Sequence, residues 1–385
     1  MKVFRYRLII LSYLLLTLAG CKEDTPLSSN ASKIEQDYFE DYESPQEKWG
    51  FIDEKGNEVI EPIFDMVKDM KSDLVAANYR GKWGYIDNQG EEFISYKYKQ
   101  AYDFANQRAF VQDFNNKWLL INVQGKTLDT IPYQEVMNHD DELALVKDGS
   151  LYGAVSRLDG RLLLPVEYDN IIPVIGGFIL SRGGSYGLKL GADMILGYEY
   201  DRIAPADNGF FRLKKDGRYY FFNAETKTKS KAFERAEPYH YELTVVRRDG
   251  NYALVDKHFA VIRELPYDKV DYAGHQKWKY KQDGLWGLLD SKGIELIPAR
   301  YTLMNRFSDE RIVAASGDEW GYLDVTGKPV IPFKYPLVWD FHKGKARVIS
   351  RQGIGFINKS GELVIEDKFY EVRDFYRGKA RFQTF

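Results

Sequence analysis

Aspartate or asparagine recurs down this chain at Asp53, Asp87, Asn122, Asn223, Asp256, Asp290, Asp324 and Asn358. Oxygen ligands stacked by a repeat can hold calcium. Calcium, however, takes six to eight oxygens, and one such residue per repeat does not supply them. Their expected task is to cap turns, where a short carboxylate or amide accepts from nearby backbone amides. A second motif, Gly183-Gly184-Ser185-Tyr186-Gly187, spells the Gly-x-Ser-x-Gly nucleophile elbow. That elbow needs a strand-to-helix turn in an α/β sheet, whereas here Gly184 falls in a turn between two strands. The histidines, His139, His240, His258, His275 and His342, form no His-Glu-x-x-His or other metal spacing. They read as surface or loop residues at unrelated positions along the chain. With no phosphate loop and no dinucleotide fingerprint, no cofactor and no metal are expected.

The elements behind these residues form a repeat. Trp49, Trp83, Trp118, Tyr152, Tyr186, Tyr219, Tyr252, Trp286, Trp320 and Ile354 follow one another at intervals of 33 to 35 residues. A period of this size marks a repeat architecture. Each unit reads as three short strands. The first runs from the aromatic anchor to the Asx and closes on a glycine such as Gly56, Gly90 or Gly327. The second ends near a proline, as at Pro62, Pro132, Pro165, Pro266, Pro298 and Pro332, because proline cannot donate to a ladder. The third alternates, then turns through Arg80-Gly81, Asp216-Gly217, Asp249-Gly250 or Asp283-Gly284 into the next anchor. Such pairs between alternating runs are strong hairpin signals.

The first unit reads Lys48-Trp49-Gly50-Phe51-Ile52-Asp53, and the ninth Trp320-Gly321-Tyr322-Leu323-Asp324. Here the sequence resembles the WG-repeat (KWG repeat) family of bacterial proteins. Ten units cover residues 48–385; those at 118–252 depart from the pattern, with Leu119, Tyr220 and Ala253 in place of the glycine. The expected fold is all-β: a tandem array of about ten three-stranded β-meander repeats of ~34 residues, preferred as an open, superhelical array. The alternative is closure into a propeller-like ring. The preference rests on size, because propellers typically have four to eight blades of about 40 residues or more.

Ahead of the array, Lys2, Arg5 and Arg7 precede an apolar run from Leu8 to Leu18, and Leu18-Ala19-Gly20-Cys21 follows. The run is too short to span a bilayer. The four residues resemble the lipobox of bacterial lipoproteins. That resemblance implies a signal peptide at 1–20, cleavage before Cys21, and acyl chains such as palmitate on Cys21, the only cysteine. Lys22 is not Asp, so the inner-membrane retention rule of some lipoproteins does not apply, and the implied place is the outer membrane, periplasmic or surface-exposed. Residues 21–47 are acidic and core-poor and read as a flexible tether, spanning roughly 25–30 Å. Removal of residues 1–20 takes away three positive charges, so the formal charge moves from −3 to −6. No nucleic-acid partner is expected.

The functional reading is a non-enzymatic, lipid-anchored cell-envelope protein that presents a β-repeat binding platform to protein partners or glycans. The anchor-strand aromatics Trp49, Phe51, Trp83, Tyr85, Trp320 and Tyr322 share one strand face and read chiefly as core. Trp339 and Trp278 lie outside the anchor series and are the candidate contact residues. An enzymatic alternative would place its site in the degenerate repeats 118–252, around His139, Asp140, Asp141 and Glu142. A purely structural spacer is the third reading.

Overall fold

The computed structural model describes residues 45–138, 140–206 and 209–383. Residues 1–20, Cys21, nearly all of the tether and His139 lie outside them. Among the described residues every regular element is a strand or an isolated bridge. The strands form ten small antiparallel sheets, nine of four strands and one of three. These are the blades of a ten-bladed β-propeller. The first anchor strand, Trp49–Asp53, pairs along its whole length with the last strand, Lys379–Gln383, from Trp49 opposite Gln383 to Asp53 opposite Lys379. The ring is therefore closed. Of the two architectures open to the sequence, the closed ring is the one formed, and the open array is not. The size argument fails because the short units still yield four-stranded blades in nine of the ten cases, the tenth keeping only a bridge, Val338 opposite Val348, in place of strand A.

The fourth strand is the element sequence reading missed. Each blade runs A-B-C-D in chain order; in blade 2 these are Met66–Val67, Val75–Tyr79, Lys82–Ile86 and Glu92–Tyr98. The anchor strand is C, the proline-bearing strand D, and the alternating strand is B of the following blade. Strand A is as short as two residues, too short to show alternation. Its inward residue nevertheless keeps the period: Val67, Ala101, Val136, Ile171, Ile203, Ala236, Val270, Met304, Val338 and Val372 are all buried. Blade 1 is assembled from both ends of the array, with A and B from residues 371–383 and C and D from residues 49–64.

The glycine after the anchor has a steric cause. Opposite it, strand D bulges: Trp83 pairs with Tyr98 while Tyr85 pairs with Ile94. The bulge presses backbone onto the glycine. A Cβ on Gly84 would sit 2.5 Å from the Ile94 carbonyl oxygen, and one on Gly321 or Gly355 2.7 Å from the matching oxygen. Where glycine is lost the bulge is lost with it. Leu119 and Ala253 pair directly with Thr130 and Glu264, and the register shifts only further along the strand, beyond Leu120 and Leu254. The prolines also need a correction. Pro62, Pro165, Pro298 and Pro332 lie inside strand D rather than ending it, whereas Pro132 and Pro266 follow the strand end. Strand D is the edge of its blade, where a missing N–H breaks no ladder.

Adjacent blades pack through one apolar cluster after another. Ile60 lies against Gly90 of the next blade, Ile94 against Gly125, and Ile331 against Gly361. A cation on strand B repeatedly donates to a strand-A carbonyl of the next blade: Arg212 to Ala236 at 2.6 Å, Lys279 to Met304 at 2.6 Å and Arg347 to Val372 at 3.1 Å. The seam repeats this contact, with Arg381 donating to Val67 at 2.9 Å and pairing with Asp69 at 2.6 Å. The closing blade is thus joined to its neighbour as the others are.

Candidate binding surface

Because strands alternate in direction, the A–B and C–D turns lie on one face of the ring, the AB face. The B–C turns and D–A joints lie on the other, the BC face. The Asx ladder sits at the C–D turns and does what was expected of it. The Asp53 carboxylate accepts from the amides of Lys55 at 2.8 Å and Asn57 at 2.9 Å, and Asp87, Asn122, Asp256, Asp290, Asp324 and Asn358 repeat the pair. Burial pushes the Asp324 carboxyl up, but donors from Thr326 and Lys328 outweigh it and hold the group below its ordinary range. Among the described residues no three His, Cys, Asp or Glu side chains converge as a metal site.

The aromatic-Asp pairs at the D–A joints act on the BC face. The carboxylates of Asp65 and Asp169 accept from Gly81 and Gly184, both at 3.0 Å, each stapling the B–C turn of its own blade. Gly183-Gly184 is such a turn, between strands Gly177–Arg182 and Ser185–Leu190, and Ser185 pairs with Arg182 in the ladder. No helix follows it, so the elbow geometry does not arise.

Phe51, Tyr85 and Tyr322 are fully buried, and Trp49 nearly so. The Tyr85 hydroxyl donates to the Tyr102 carbonyl at 2.7 Å, and that of Tyr322 to the Trp339 carbonyl at 2.7 Å. Trp278 is a correction. At 1% exposure it is packed among Val245, Leu254, Leu265, Val270 and Tyr280 and cannot meet a ligand. It belongs to strand B, in a row that faces the neighbouring blade. Trp339 is half-buried, with the Arg347 guanidinium 4.7 Å from its ring centre, so that face of the ring is already covered.

Three of the histidines share one place in the blade, whereas His258 lies in a C–D turn. His240, His275 and His342 occupy the A–B turns of blades 7, 8 and 10. Each meets an aromatic of the next blade: Tyr272 at 3.7 Å, Phe307 at 5.4 Å and Tyr376 at 5.2 Å between ring centres. They clasp blade to blade on the AB face. In the polar cluster, the Asp140 carboxylate accepts from the amides of Glu142 at 2.8 Å and Leu143 at 2.9 Å, closing the A–B turn of blade 4. The buried Arg157 donates to the carbonyls of Asp140, Asp103 and Arg108, which binds blades 3 and 4 together.

One A–B turn of the AB face breaks the repeat by its residues. In blade 5 strands A and B pair over five residues, from Asn170–Ser181 to Val174–Gly177, as they do in blade 8, against two in blade 2. The longer hairpin carries Ile175 at its tip, fully exposed. On one side lies a groove of about 890 Å³, walled by Leu163, Pro173 and Phe178, with Asp140 and Lys189 at its margin. On the other side is one of about 460 Å³, walled by Leu190, Phe210, Phe211 and Tyr239. Val174, Ile175 and Pro205 line both. A sequence signal for this site exists. Other A–B turns carry polar pairs, such as Asn106-Gln107, Asp309-Glu310 and Lys343-Gly344, where blade 5 has Ile175-Gly176.

The family described as WG containing repeat matches at residues 49–83, 83–118, 286–317, 320–349 and 354–384. Each matched stretch runs from an anchor through strands C and D of one blade into A and B of the next, and the unmatched residues 119–285 include both grooves. No curated protein matches the sequence. Among solved structures, a eukaryotic initiation factor aligns at 10% identity over 74% of this chain and 95% of its own, with a TM-score of 0.41. BamB from Moraxella catarrhalis aligns at 14% identity over 66% of this chain and 79% of its own, TM-score 0.27. PorZ, a surface component of the type-IX secretion system of Porphyromonas gingivalis, aligns at 10% identity over 81% of this chain and 53% of its own, TM-score 0.26. Likenesses this distant carry no functional argument.

Proposed function

This chain is a WG-repeat protein, and from that premise we propose that it is a lipid-anchored envelope protein that works by contact, without catalysing a reaction. Its ring would serve as a platform, and the double groove around Ile175 as the seat of a protein partner. The observation that carries this reading is the exposed isoleucine between two apolar grooves, in the stretch where the repeat is least regular. A fully exposed isoleucine adds nothing to the core, and apolar pockets flanking an anchor are how protein interfaces concentrate their energy. The lipid anchor rests on the Leu18-Ala19-Gly20-Cys21 motif alone.

Two results are expected. The full chain expressed in a Gram-negative host takes up radiolabelled palmitate and fractionates with membranes, and Cys21→Ser abolishes both; label retained by the variant would refute the anchor. Purified from crosslinked envelopes, the native chain brings down a discrete protein, and Ile175→Asp lowers its recovery at least tenfold, about 1.4 kcal/mol in binding. Because Ile175 is outside the core, the variant keeps its native melting temperature. Equal recovery would remove the groove as the contact site.

A further inference from the structure

Charge is spread unevenly round the ring. Residues 202–301, which make up blades 6 to 8, carry 19 Lys and Arg against 14 Asp and Glu, a net of +5. The rest of the chain carries 35 against 43, a net of −8. The excess concentrates at one repeated place. Arg202, Arg235 and Lys269 open strand A of blades 6, 7 and 8, and the residues directly opposite on strand B are Lys214, Arg247 and Lys281. In other blades the same pair is Met66 with Asn78, Gln100 with Gln112, Glu135 with Lys147, Asn170 with Ser181, Leu303 with Ala315 and Glu371 with Gln383. Like charges directly opposite destabilise a sheet. Three such pairs in succession are not explained by the needs of the fold.

Part of this charge is answered locally. Arg212 pairs with Glu237 at 3.9 Å, Arg247 with Glu234 at 3.8 Å and Lys269 with Asp271 at 2.8 Å. Burial pushes the Glu237 carboxyl up against the pull of Arg212, Arg235 and Lys269, cations from all three blades. Among the described residues Arg202, Lys214, Arg235 and Lys281 have no carboxylate within ion-pair distance. Arg202 and Arg235 are exposed, and Lys214 and Lys281 half-exposed. All four lie at the D–A joints and B–C turns, on the BC face.

We propose that this arc of blades 6 to 8 binds an anionic polysaccharide, a sugar polymer bearing recurrent carboxylates or phosphates. Unanswered cations at blade spacing suit a polymer whose charges repeat. The interleaved carboxylates of Glu234, Glu237 and Asp271 suit sugar hydroxyls, which donate hydrogen bonds. Single-stranded nucleic acid binds by stacking bases on bare aromatic rings. Here Tyr219 lies under Lys214 at 5.7 Å, Tyr252 under Arg247 at 5.8 Å and Trp286 under Lys279 at 4.7 Å. The proposal rests on the contact-platform reading but uses the opposite face from Ile175, so Ile175→Asp leaves it untouched.

The test is binding of polygalacturonate to the full chain at two ionic strengths, with neutral dextran and a short single-stranded DNA as comparison ligands. The native chain is expected to bind polygalacturonate and not dextran, more weakly at high salt. Combined Arg202→Gln, Arg235→Gln and Lys281→Gln should weaken binding on the order of tenfold and flatten its salt dependence. Combined Lys55→Gln, Lys126→Gln and Lys328→Gln, on exposed C–D turns, removes the same charge and should change neither. Arg202→Lys, Arg235→Lys and Lys281→Arg together should restore binding, which separates charge from folding. Equal retention of dextran, native-like binding by the first triple variant, or tighter binding of the DNA would each overturn the proposal.

Discussion

A chain that begins at Met66, without residues 45–65, is expected to aggregate, whereas a permuted chain carrying those residues after Phe385 should fold and melt as the intact protein does. The deleted stretch supplies strands C and D of blade 1, with Trp49, Phe51, Ile52, Ile60 and Phe64 all buried. Each fully buried apolar side chain contributes about 1.5–3 kcal/mol. Five of them together match the roughly 5–15 kcal/mol of net stability of a folded domain. The loss also bares strand Lys379–Gln383, which is otherwise paired along its length with Trp49–Asp53, and an unpaired edge recruits other chains. In the permuted chain the same strands meet through a local connection instead of across the whole sequence. Size-exclusion chromatography and thermal melting of the two chains decide the matter. An open array would lose only its terminal unit, so a monomeric, cooperatively melting truncation would contradict the seam.

Trp278→Ala should cost about 3–5 kcal/mol of stability, as expected for truncating a buried tryptophan. The ring is enclosed by Val245, Leu254, Leu265, Val270 and Tyr280, with Tyr272 edge-on at 5.2 Å between ring centres. Its indole N–H is buried without a hydrogen-bond partner. Trp278→Phe keeps most of the packing and discards that unmet donor, so it should cost much less, since an unpaired buried polar group is itself unfavourable. Trp339→Ala should cost less than Trp278→Ala because the residue is half-buried, though it uncovers the Arg347 guanidinium. Urea denaturation of the three variants reads these differences. A Trp278→Ala protein as stable as the native one would mean that the blade 7–8 interface repacks without it.

Most of the local structure was legible in the sequence, because local structure is what the repeat specifies. The Asx ladder capped its turns, the Asp-Gly pairs at 216, 249 and 283 made the B–C hairpins, and the anchors Trp49, Trp118 and Tyr252 went to the core while Trp83, Trp286 and Trp320 pack half-buried against it. Four things were not legible. Ring closure depends on a match between Trp49–Asp53 and Lys379–Gln383, and both strands look the same whether they pair with each other or stay terminal. Strand A was hidden by its length, although its buried residue kept the beat at Val67, Ala101 and Val136. The surface role given to Trp278 failed because residues outside the anchor series were assumed to lie in loops. Position 278 is on strand B, where alternation points every second residue at the preceding blade. The exposed Ile175 passed unnoticed, since its departure from the polar A–B turns shows only once strand A, and with it the turn, has been located.

Closing the ring on blade 1 also sets distances. The chain joins the ring at Trp49 in blade 1, and blade 6 is five steps on in a ring of ten, with four blades between them on either side. Blade 6 adjoins the Ile175 hairpin and helps to wall the smaller groove. The point of attachment and the groove are therefore at opposite ends of a diameter. A partner seated at Ile175 does not compete for room with whatever holds the segment before Trp49. The full width of the ring serves as the reach between them.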